Sequence, residues 1–312
     1  MGKIHDEINQ IIFGQDRVIE ETLVTVLSGG HVLLIGLPGL GKTRLVETLG
    51  TVLGLDERRV QFTPDLMPSD IIGSEILDED EMGKRHFRFV QGPLFCQLLM
   101  ADEINRASPR TQSALLQAMQ EKRVSVAGHY HDLPQPFHVL ATQNPLEQEG
   151  TYPLPEAQLD RFFMEINVAY PERDAERDIL LSTTSNDIKT PSRICSAEEL
   201  LEAQELVRSV PVSETVLEAI LTIVREGRPD SSTLESVKRH VVWGPGPRAS
   251  QALMSGVRAR AIIQNRLSPS IDDVIALAAP ILRHRMALNF AARAEGVSLS
   301  QIIADLIATI KP

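Results

Sequence analysis

The chain has 312 residues, of which 43% are hydrophobic and 23% are charged, a balance typical of a folded protein large enough for two domains. Its formal net charge of −11 argues against a surface dedicated to wrapping duplex nucleic acid. Cys96 and Cys195 are far apart in sequence, and no run of about 18 apolar residues occurs, so we expect a cytoplasmic protein with no membrane segment.

The first half of the chain alternates short apolar runs with helical patterns. Helices are predicted after Lys42 and after Ser108. Strands are predicted at residues 31–35, 60–63, 97–101, 137–142 and 162–168. This alternation predicts an α/β fold with a parallel, doubly wound sheet.

A glycine-rich loop follows the first predicted strand and matches the pattern GxxxxGK[ST]. In such a loop the glycines let backbone N–H groups turn toward phosphate oxygens, and the helix start behind them favours negative charge. Lys42 is expected to reach the outer phosphates and Thr43 to bind magnesium. The predicted nucleotide-binding residues of this loop are Gly36, Pro38, Gly39, Leu40, Gly41, Lys42, Thr43 and Arg44.

Two segments of the first half read as hairpins. One has arms at 73–77 and 86–90 around a turn at 78–84, with acidic residues from Asp78 to Glu81 and basic residues after it. The other covers residues 124–133 around a turn at Ala127 and Gly128. Both could project from the sheet as mobile hairpins that contact another molecule. Solvated loops without a role remain the alternative.

Asp102 and Glu103 come directly after the apolar run 98–101. An acidic pair at such a strand end, together with the upstream phosphate loop, predicts nucleotide hydrolysis rather than binding alone. We assign magnesium binding to Asp102 and the role of general base to Glu103. Because side chains alternate along a strand, the two carboxylates are expected to point in different directions.

Two further residues are predicted to complete the catalytic site. Asn144 follows the strand at 137–142 and would reach the sheet edge where ligands collect in open α/β folds, so it could orient the attacking water. Arg161 precedes the last predicted strand, where it could face a neighbouring subunit. A guanidinium offered there to the γ-phosphate would stabilise the charge of phosphoryl transfer.

The second half of the chain shows mainly amphipathic helical patterns, and we place the domain boundary near Pro171, with domains at 1–170 and 171–312. Helices are predicted at 172–182, 197–207, 214–225, 247–264, 271–286 and 299–310. Arg248 opens one of them, an unfavourable place for a cation unless an anion is nearby. We therefore expect Arg248 to contact phosphates from this α-helical lid.

With these motifs in place, nearly the whole sequence resembles AAA+ ATPases of the MoxR type, in the clade that carries a helix-2 insert and a pre-sensor hairpin. Ordered blocks of residues carry the resemblance, at 13–15, 36–43, 61–70, 91–95, 101–107, 142–145 and 154–162. One departure is Gly246, which stands where the family often has serine before Pro-Arg.

The resemblance implies a role for each matching position. Gly14 and Gln15 would lie against adenine, Asn144 would be sensor 1, Arg161 an arginine finger, and Arg248 sensor 2, acting on its own or on a neighbour's nucleotide. Residues 74–90 would be the helix-2 insert and 124–133 the pre-sensor hairpin, both aimed at the central pore of a hexamer.

The resemblance also implies a function. The chain would be a ring-forming ATPase that uses ATP, ADP and Mg²⁺ to remodel, mature or activate a protein client, including by metal or cofactor insertion, with a partner bearing a von Willebrand factor A domain. Three alternatives share the motifs: a nucleic-acid motor, a chelatase-type motor subunit, and a nucleotide-switched scaffold with little turnover. The acidic charge and the 4% aromatic content weigh against the nucleic-acid motor.

Overall fold

The computed structural model describes residues 2–79, 83, 85–147, 150–184 and 189–310. The strands are β1 (Val32–Ile35), β2 (Glu57–Gln61), β3 (Gly73–Glu79), β4 (Arg85–Gln91), β5 (Leu98–Asp102), β6 (Arg123–Val126), β7 (His129–Asp132), β8 (His138–Gln143), β9 (Met164–Asn167), β10 (Val241–Trp243) and β11 (Ala287–Leu288). The α-helices are α1 (Gly2–Asn9), α2 (Asp16–Leu27), α3 (Lys42–Leu53), α4 (Pro68–Ile72), α5 (Pro109–Glu121), α6 (Glu156–Leu159), α7 (Arg173–Thr184), α8 (Ala197–Ser209), α9 (Glu214–Glu226), α10 (Glu235–His240), α11 (Pro247–Ile263), α12 (Ile271–Leu282), α13 (Phe290–Ala294) and α14 (Leu299–Ala308).

The predicted parallel sheet is confirmed. Its strand order is β2-β5-β8-β1-β9, and every neighbouring pair runs parallel. Because β1, β5 and β8 are adjacent and parallel, the chain segments that follow them emerge at one edge of the sheet. The strand predicted at 60–63 is shifted, since β2 runs from Glu57 to Gln61. It is an edge strand with exposed, polar residues, so the apolar pattern missed its first half.

Alternate side chains of the central strands enter two different cores. Val32 and Leu34 of β1 pack in one core and Leu33 in the other, and β5 alternates in the same way. The first core continues into α9, α11, α12 and α14 of the second half, so the lid and the sheet share one apolar interior. This burial on both faces explains why the central strands are continuous apolar runs.

Both predicted hairpins form. β3 pairs antiparallel with β4, and β6 pairs antiparallel with β7 across Ala127 and Gly128, which both have positive φ. Asp78 and Glu79, predicted in the first turn, belong to β3 instead, where they pair with Arg88 at 2.8 Å and with Arg85 at 3.3 Å. The other acidic turn residues and Lys84 lie outside the described residues.

The second half is mainly helical, as predicted, although the short helices α10 and α13 were not predicted. Two further points differ from the prediction. The helix expected over 271–286 ends at Leu282, and a 3₁₀ turn follows at 283–285. His284 and Arg285 in this turn are buried. A short antiparallel pair, β10 with β11, also lies in this half. The sequence missed it because strands of two or three residues carry no measurable periodicity.

Arg285 joins the lid to the sheet domain. The residue is 2% exposed, and its guanidinium donates to the carbonyl oxygens of Phe162 at 2.7 Å and Phe163 at 3.1 Å. The same guanidinium donates to Asp160 Oδ1 at 2.8 Å. The buried guanidinium of the lid thus donates to main-chain and carboxylate oxygens of the sheet domain. These charge-assisted hydrogen bonds fix the position of the lid on the sheet domain.

Candidate functional site

The glycine-rich loop leaves β1 after Ile35 and enters α3 at Lys42. Gly41 precedes α3 with φ 77°, the left-handed conformation that glycine adopts without steric cost. Lys42 Nζ donates to the carbonyl oxygens of Gly36 at 2.5 Å and of Leu37 at 2.9 Å. Its ammonium is therefore held against the loop, at the start of a helix whose dipole favours an anion.

This loop, together with the ends of β5 and β8, encloses a cavity of about 420 Å³, which we call the P-loop cavity. The cavity brings together most of the predicted nucleotide and catalytic residues. Its lining consists of Pro38, Gly39, Leu40, Gly41, Lys42, Thr43, Arg44, Arg59, Asp102, Glu103, Thr142 and Asn144. Gly36, also predicted, contributes its carbonyl to Lys42 and lies outside this lining.

Asp102 ends β5 and is 9% exposed. Thr142 Oγ1, from the neighbouring strand β8, donates to Asp102 Oδ1 at 2.5 Å. Arg59, from β2 on the other side, donates to Asp102 Oδ2 at 2.6 Å. Each carboxylate oxygen keeps a second acceptor direction, since an ionised carboxylate offers about four.

Glu103 lies one residue beyond β5, at φ 56°. Strand alternation, from which the sequence predicted different directions for Asp102 and Glu103, does not apply at this left-handed turn, and both carboxylates line the P-loop cavity. Glu103 Oε2 accepts from Gln61 Nε2 at 2.6 Å and from Arg106 at 2.8 Å. A positive φ at a non-glycine residue costs conformational energy, and such residues cluster at functional sites.

Asn144 follows β8 and is 6% exposed. Its Oδ1 accepts from the backbone N–H of Leu146 at 3.1 Å, which fixes the amide at the wall of the P-loop cavity. Lys42 lines the same cavity. Burial lowers the pKa of its ammonium, whereas the negative charges of Asp102 and Glu103 act to raise this pKa.

A second cavity of about 220 Å³ adjoins the P-loop cavity and shares Gly39, Leu40, Gly41 and Arg44 with it. Its remaining wall is largely apolar and comprises Ile11, Ile12, Phe13, Gln15, Pro171, Ile179, Ser182 and Thr183. Gln15 is anchored there, because its Nε2 donates to the Leu40 carbonyl at 3.0 Å. An apolar pocket beside a phosphate loop suits a nucleotide base.

Gly14, predicted to lie against adenine, is absent from the described lining of this apolar cavity. It has φ 68°, and a Cβ at this position would collide with the Cβ of Ala175 on α7. Gly14 therefore allows α7 to approach the loop that carries Gln15, and α7 in turn supplies Ile179 to the cavity wall.

Arg161 and Arg248 line a third cavity, of about 280 Å³, which we call the arginine cavity. In the part of the chain that the structure describes, its lining shares no residue with the P-loop cavity. Arg161 donates to the Leu116 carbonyl at 2.7 Å, and Arg248 lies 3.5 Å from Asp160. Asp160 is the anion that the sequence required near this helix start. The structure thus brings the two arginines together and separates them from the chain's own P-loop.

Comparisons with known proteins agree with this geometry. A model of the ATPase family associated with various cellular activities (AAA) matches residues 31–164, and a model of the AAA lid domain matches residues 235–306. A crystal structure from Cytophaga hutchinsonii has a TM-score of 0.90 and 39% identity, and the match covers 98% of this chain and 92% of that one.

Two relatives decide the family. Chaperone MoxR1 of Mycobacterium tuberculosis is 42% identical over 97% of this chain and 80% of its own length. Protein MoxR of Paracoccus denitrificans is 31% identical over 90% of this chain and 87% of its own length. The chain belongs to the MoxR family of AAA+ ATPases.

Several site residues of this MoxR-family protein were missed from the sequence. Arg59 and Gln61 lie on the polar edge strand β2, which the apolar pattern placed too late in the chain. Thr142 was placed in an apolar strand and in the block 142–145, but it was given no role in the site. The apolar lining from α7 and from residues 11–13 could have been found only from the hydrophobic pattern of two segments that fold together.

The donor set of this MoxR-family site fits Mg²⁺. A hydroxyl, Thr43, and a carboxylate with free acceptor directions, Asp102, line the same cavity. Mg²⁺ binds through one or two protein oxygens together with waters and substrate phosphates.

The described helices include none long and apolar enough to span a membrane.

Proposed function

We propose that this protein binds MgATP and hydrolyses it to ADP and phosphate. One observation carries the proposal: Lys42, Asp102 and Glu103 surround a single cavity beside an apolar pocket of a size for a base. A protein that only held nucleotide would not need a second carboxylate beside the metal-binding one.

The predicted phosphate-binding, metal-binding and catalytic groups of the lining each have a task in the proposed reaction. The backbone N–H groups of the loop and the ammonium of Lys42 bind the outer phosphates. Mg²⁺, when bound, neutralises phosphate charge, and Thr43 and Asp102 would hold it. Glu103 accepts the proton of the attacking water, and Asn144 orients that water.

We further propose that the site is completed by a second subunit. Arg161 and Arg248 lie together on a surface separate from their own P-loop cavity, so each would serve the nucleotide of a neighbour. A head-to-tail interface of this kind repeats until it closes into a ring. We propose a hexamer, as the family resemblance implies.

Phosphate release measured with purified protein, ATP and Mg²⁺ tests the enzyme proposal directly. We expect turnover in the wild type and loss of turnover with retained nucleotide binding in Glu103→Gln. Light scattering in the presence of ATP tests the ring. A monomer that hydrolyses ATP at the full rate would contradict the shared site.

The remodelling of a protein client, with a partner bearing a von Willebrand factor A domain, is proposed from the family. The hairpins β3-β4 and β6-β7 would face the ring pore and contact the client. A nucleic-acid client is disfavoured because Arg85 and Arg88 are paired with Glu79 and Asp78. A chelatase-type role differs only in the client, and a cytoplasmic location stays a prediction.

Capture of partners from lysate by Glu103→Gln in ATP distinguishes these clients, if it is done with and without nuclease. Partners that survive nuclease and include a von Willebrand factor A domain protein would support the chaperone proposal. Recovery of nucleic acid with nuclease-sensitive partners would place the protein among the motors.

A further inference from the structure

The charged lining of the P-loop cavity includes one arginine to which neither the sequence motifs nor the family comparison gives a role. Arg59 lies on β2, the edge strand, and donates through NH2 to Asp102 Oδ2 at 2.6 Å. Its side chain is 49% exposed, whereas that of Asp102 is 12% exposed. The guanidinium thus reaches from solvent to the innermost acid of the site.

Asp102 is held from both sides by the strands that flank β5. Thr142 of β8 donates to Oδ1, and Arg59 of β2 donates to Oδ2. Two hydrogen bonds on opposite oxygens fix the rotation of the carboxylate plane. The remaining acceptor directions are then available to a metal or its waters in the cavity that Thr43 also lines.

The contact is better explained by positioning than by folding stability. A half-exposed ion pair contributes little to stability, because water screens it and the long side chain loses freedom. Groups that orient a metal-binding carboxylate have a larger effect on the metal, typically 10- to 100-fold in affinity.

We propose that Arg59 is a positioning residue for the magnesium-binding carboxylate, so that Mg²⁺ strengthens nucleotide binding only when Arg59 holds Asp102. This inference rests on the proposed function, in which Asp102 binds Mg²⁺. The proposal also gives the edge strand β2 a function. On one face of this strand, Arg59 contacts Asp102 and Gln61 contacts Glu103.

The strand itself provides a matched control. Arg58 precedes Arg59 and points to the opposite face, where it lies 4.0 Å from Asp56 and 3.5 Å from the Gly92 carbonyl. Arg58→Ala removes the same charge from the same strand without touching Asp102. Any general effect of net charge on nucleotide binding would appear in both variants.

The test measures the affinity of a non-hydrolysable ATP analogue by calorimetry, once with Mg²⁺ and once with EDTA. The ratio of the two dissociation constants gives the contribution of Mg²⁺. We expect Arg59→Ala to lower this ratio about tenfold while the affinity in EDTA stays within about twofold of wild type. Arg58→Ala should match wild type, and Arg59→Lys, which keeps a charged donor, should recover part of the ratio.

Three results would overturn the inference. An unchanged ratio with both affinities unchanged in Arg59→Ala would show that Asp102 is positioned without it. A raised ratio would make Arg59 a competitor of the metal, and equal weakening with and without Mg²⁺ would make it a phosphate ligand. If the wild type binds no analogue, the proposed function fails as well, whereas the other outcomes leave it standing. Thermal unfolding confirms that each variant is folded.

Discussion

Arg248 of the lid lies 3.5 Å from Asp160, the residue that immediately precedes Arg161 in the sheet domain. Both arginines line the arginine cavity, and Arg285, which also lines it, joins Asp160 to the lid from inside. The lid therefore presents Arg248 beside Arg161, away from the P-loop of the same chain.

This arrangement predicts that Arg161 acts on a neighbour. Arg161→Ala alone should reduce turnover by about 10³-fold, as expected for loss of a catalytic arginine. A one-to-one mixture with Glu103→Gln should regain activity, because roughly a quarter of the interfaces then pair an intact acid with an intact arginine. Phosphate release from the two variants, separate and mixed, measures this.

Subunit exchange must be shown in the same samples, for example by fluorescence transfer between labelled variants. Exchange without recovery of phosphate release would contradict a shared active site.

Lys42→Ala is expected to weaken ATP binding about 100-fold, because a charge-assisted bond to the outer phosphates is lost. The fold should be kept, since Lys42 donates only to two carbonyls of its own loop, those of Gly36 and Leu37. Titration calorimetry measures the affinity and circular dichroism the fold. Unchanged affinity would remove Lys42 from the phosphate site.

Glu103→Gln is expected to keep ATP affinity within about threefold and to lower turnover at least 100-fold, the usual effect of losing a general base. Glutamine can still accept from Gln61 and Arg106 through its carbonyl oxygen, so the local turn should persist. Single-turnover hydrolysis separates this effect from product release. Normal hydrolysis would mean that another group activates the water.

Arg285→Ala is expected to destabilise the protein by about 3 kcal/mol, because the carbonyls of Phe162 and Phe163 and the carboxylate of Asp160 each lose a hydrogen bond from the buried guanidinium. Chemical denaturation of the variant and of Arg208→Ala, an exposed arginine on α8, gives the comparison. Equal stability of the two variants would show that Arg285 does not join the halves.

Glu21 predicts a pH dependence of stability. Burial raises the pKa of Glu21 to about 7, against the smaller opposing effects of Arg17 and Arg283. Between the ordinary value of 4.5 and about 7, the unfolded chain releases this proton and the folded chain keeps it, so stability falls as pH rises through that window.

Glu21→Gln removes this cost. The variant and the wild type should have the same melting temperature near pH 5, and the variant should melt at a higher temperature at pH 8. At pH 8 the free energy of unfolding of the variant should be larger by on the order of 2 kcal/mol. Burial also raises the pKa of Glu57 to about 7, but Glu57 is present in both proteins and cancels in the difference. A difference independent of pH would rule out Glu21 as the titrating group.

The nucleotide-binding fold and most residues of the candidate site could be predicted from local patterns in the sequence. The loop at 36–43 and the acids at 102–103 can be recognised locally, because each follows the end of one apolar strand. That strand is apolar throughout because both of its faces are buried. The hairpins at 73–91 and 123–132 were equally local, since each needs only two neighbouring segments and a turn.

The contacts between residues far apart in the chain could not be predicted in this way. Arg59 reaches Asp102 across 43 residues of sequence, and Arg285 reaches Phe162 across 123. No periodicity encodes such contacts, because they depend on which strands become neighbours and on where the lid packs. The same reason applies to Arg161 and Arg248: the sequence identified both arginines, but only the packing of the lid shows that they line one cavity.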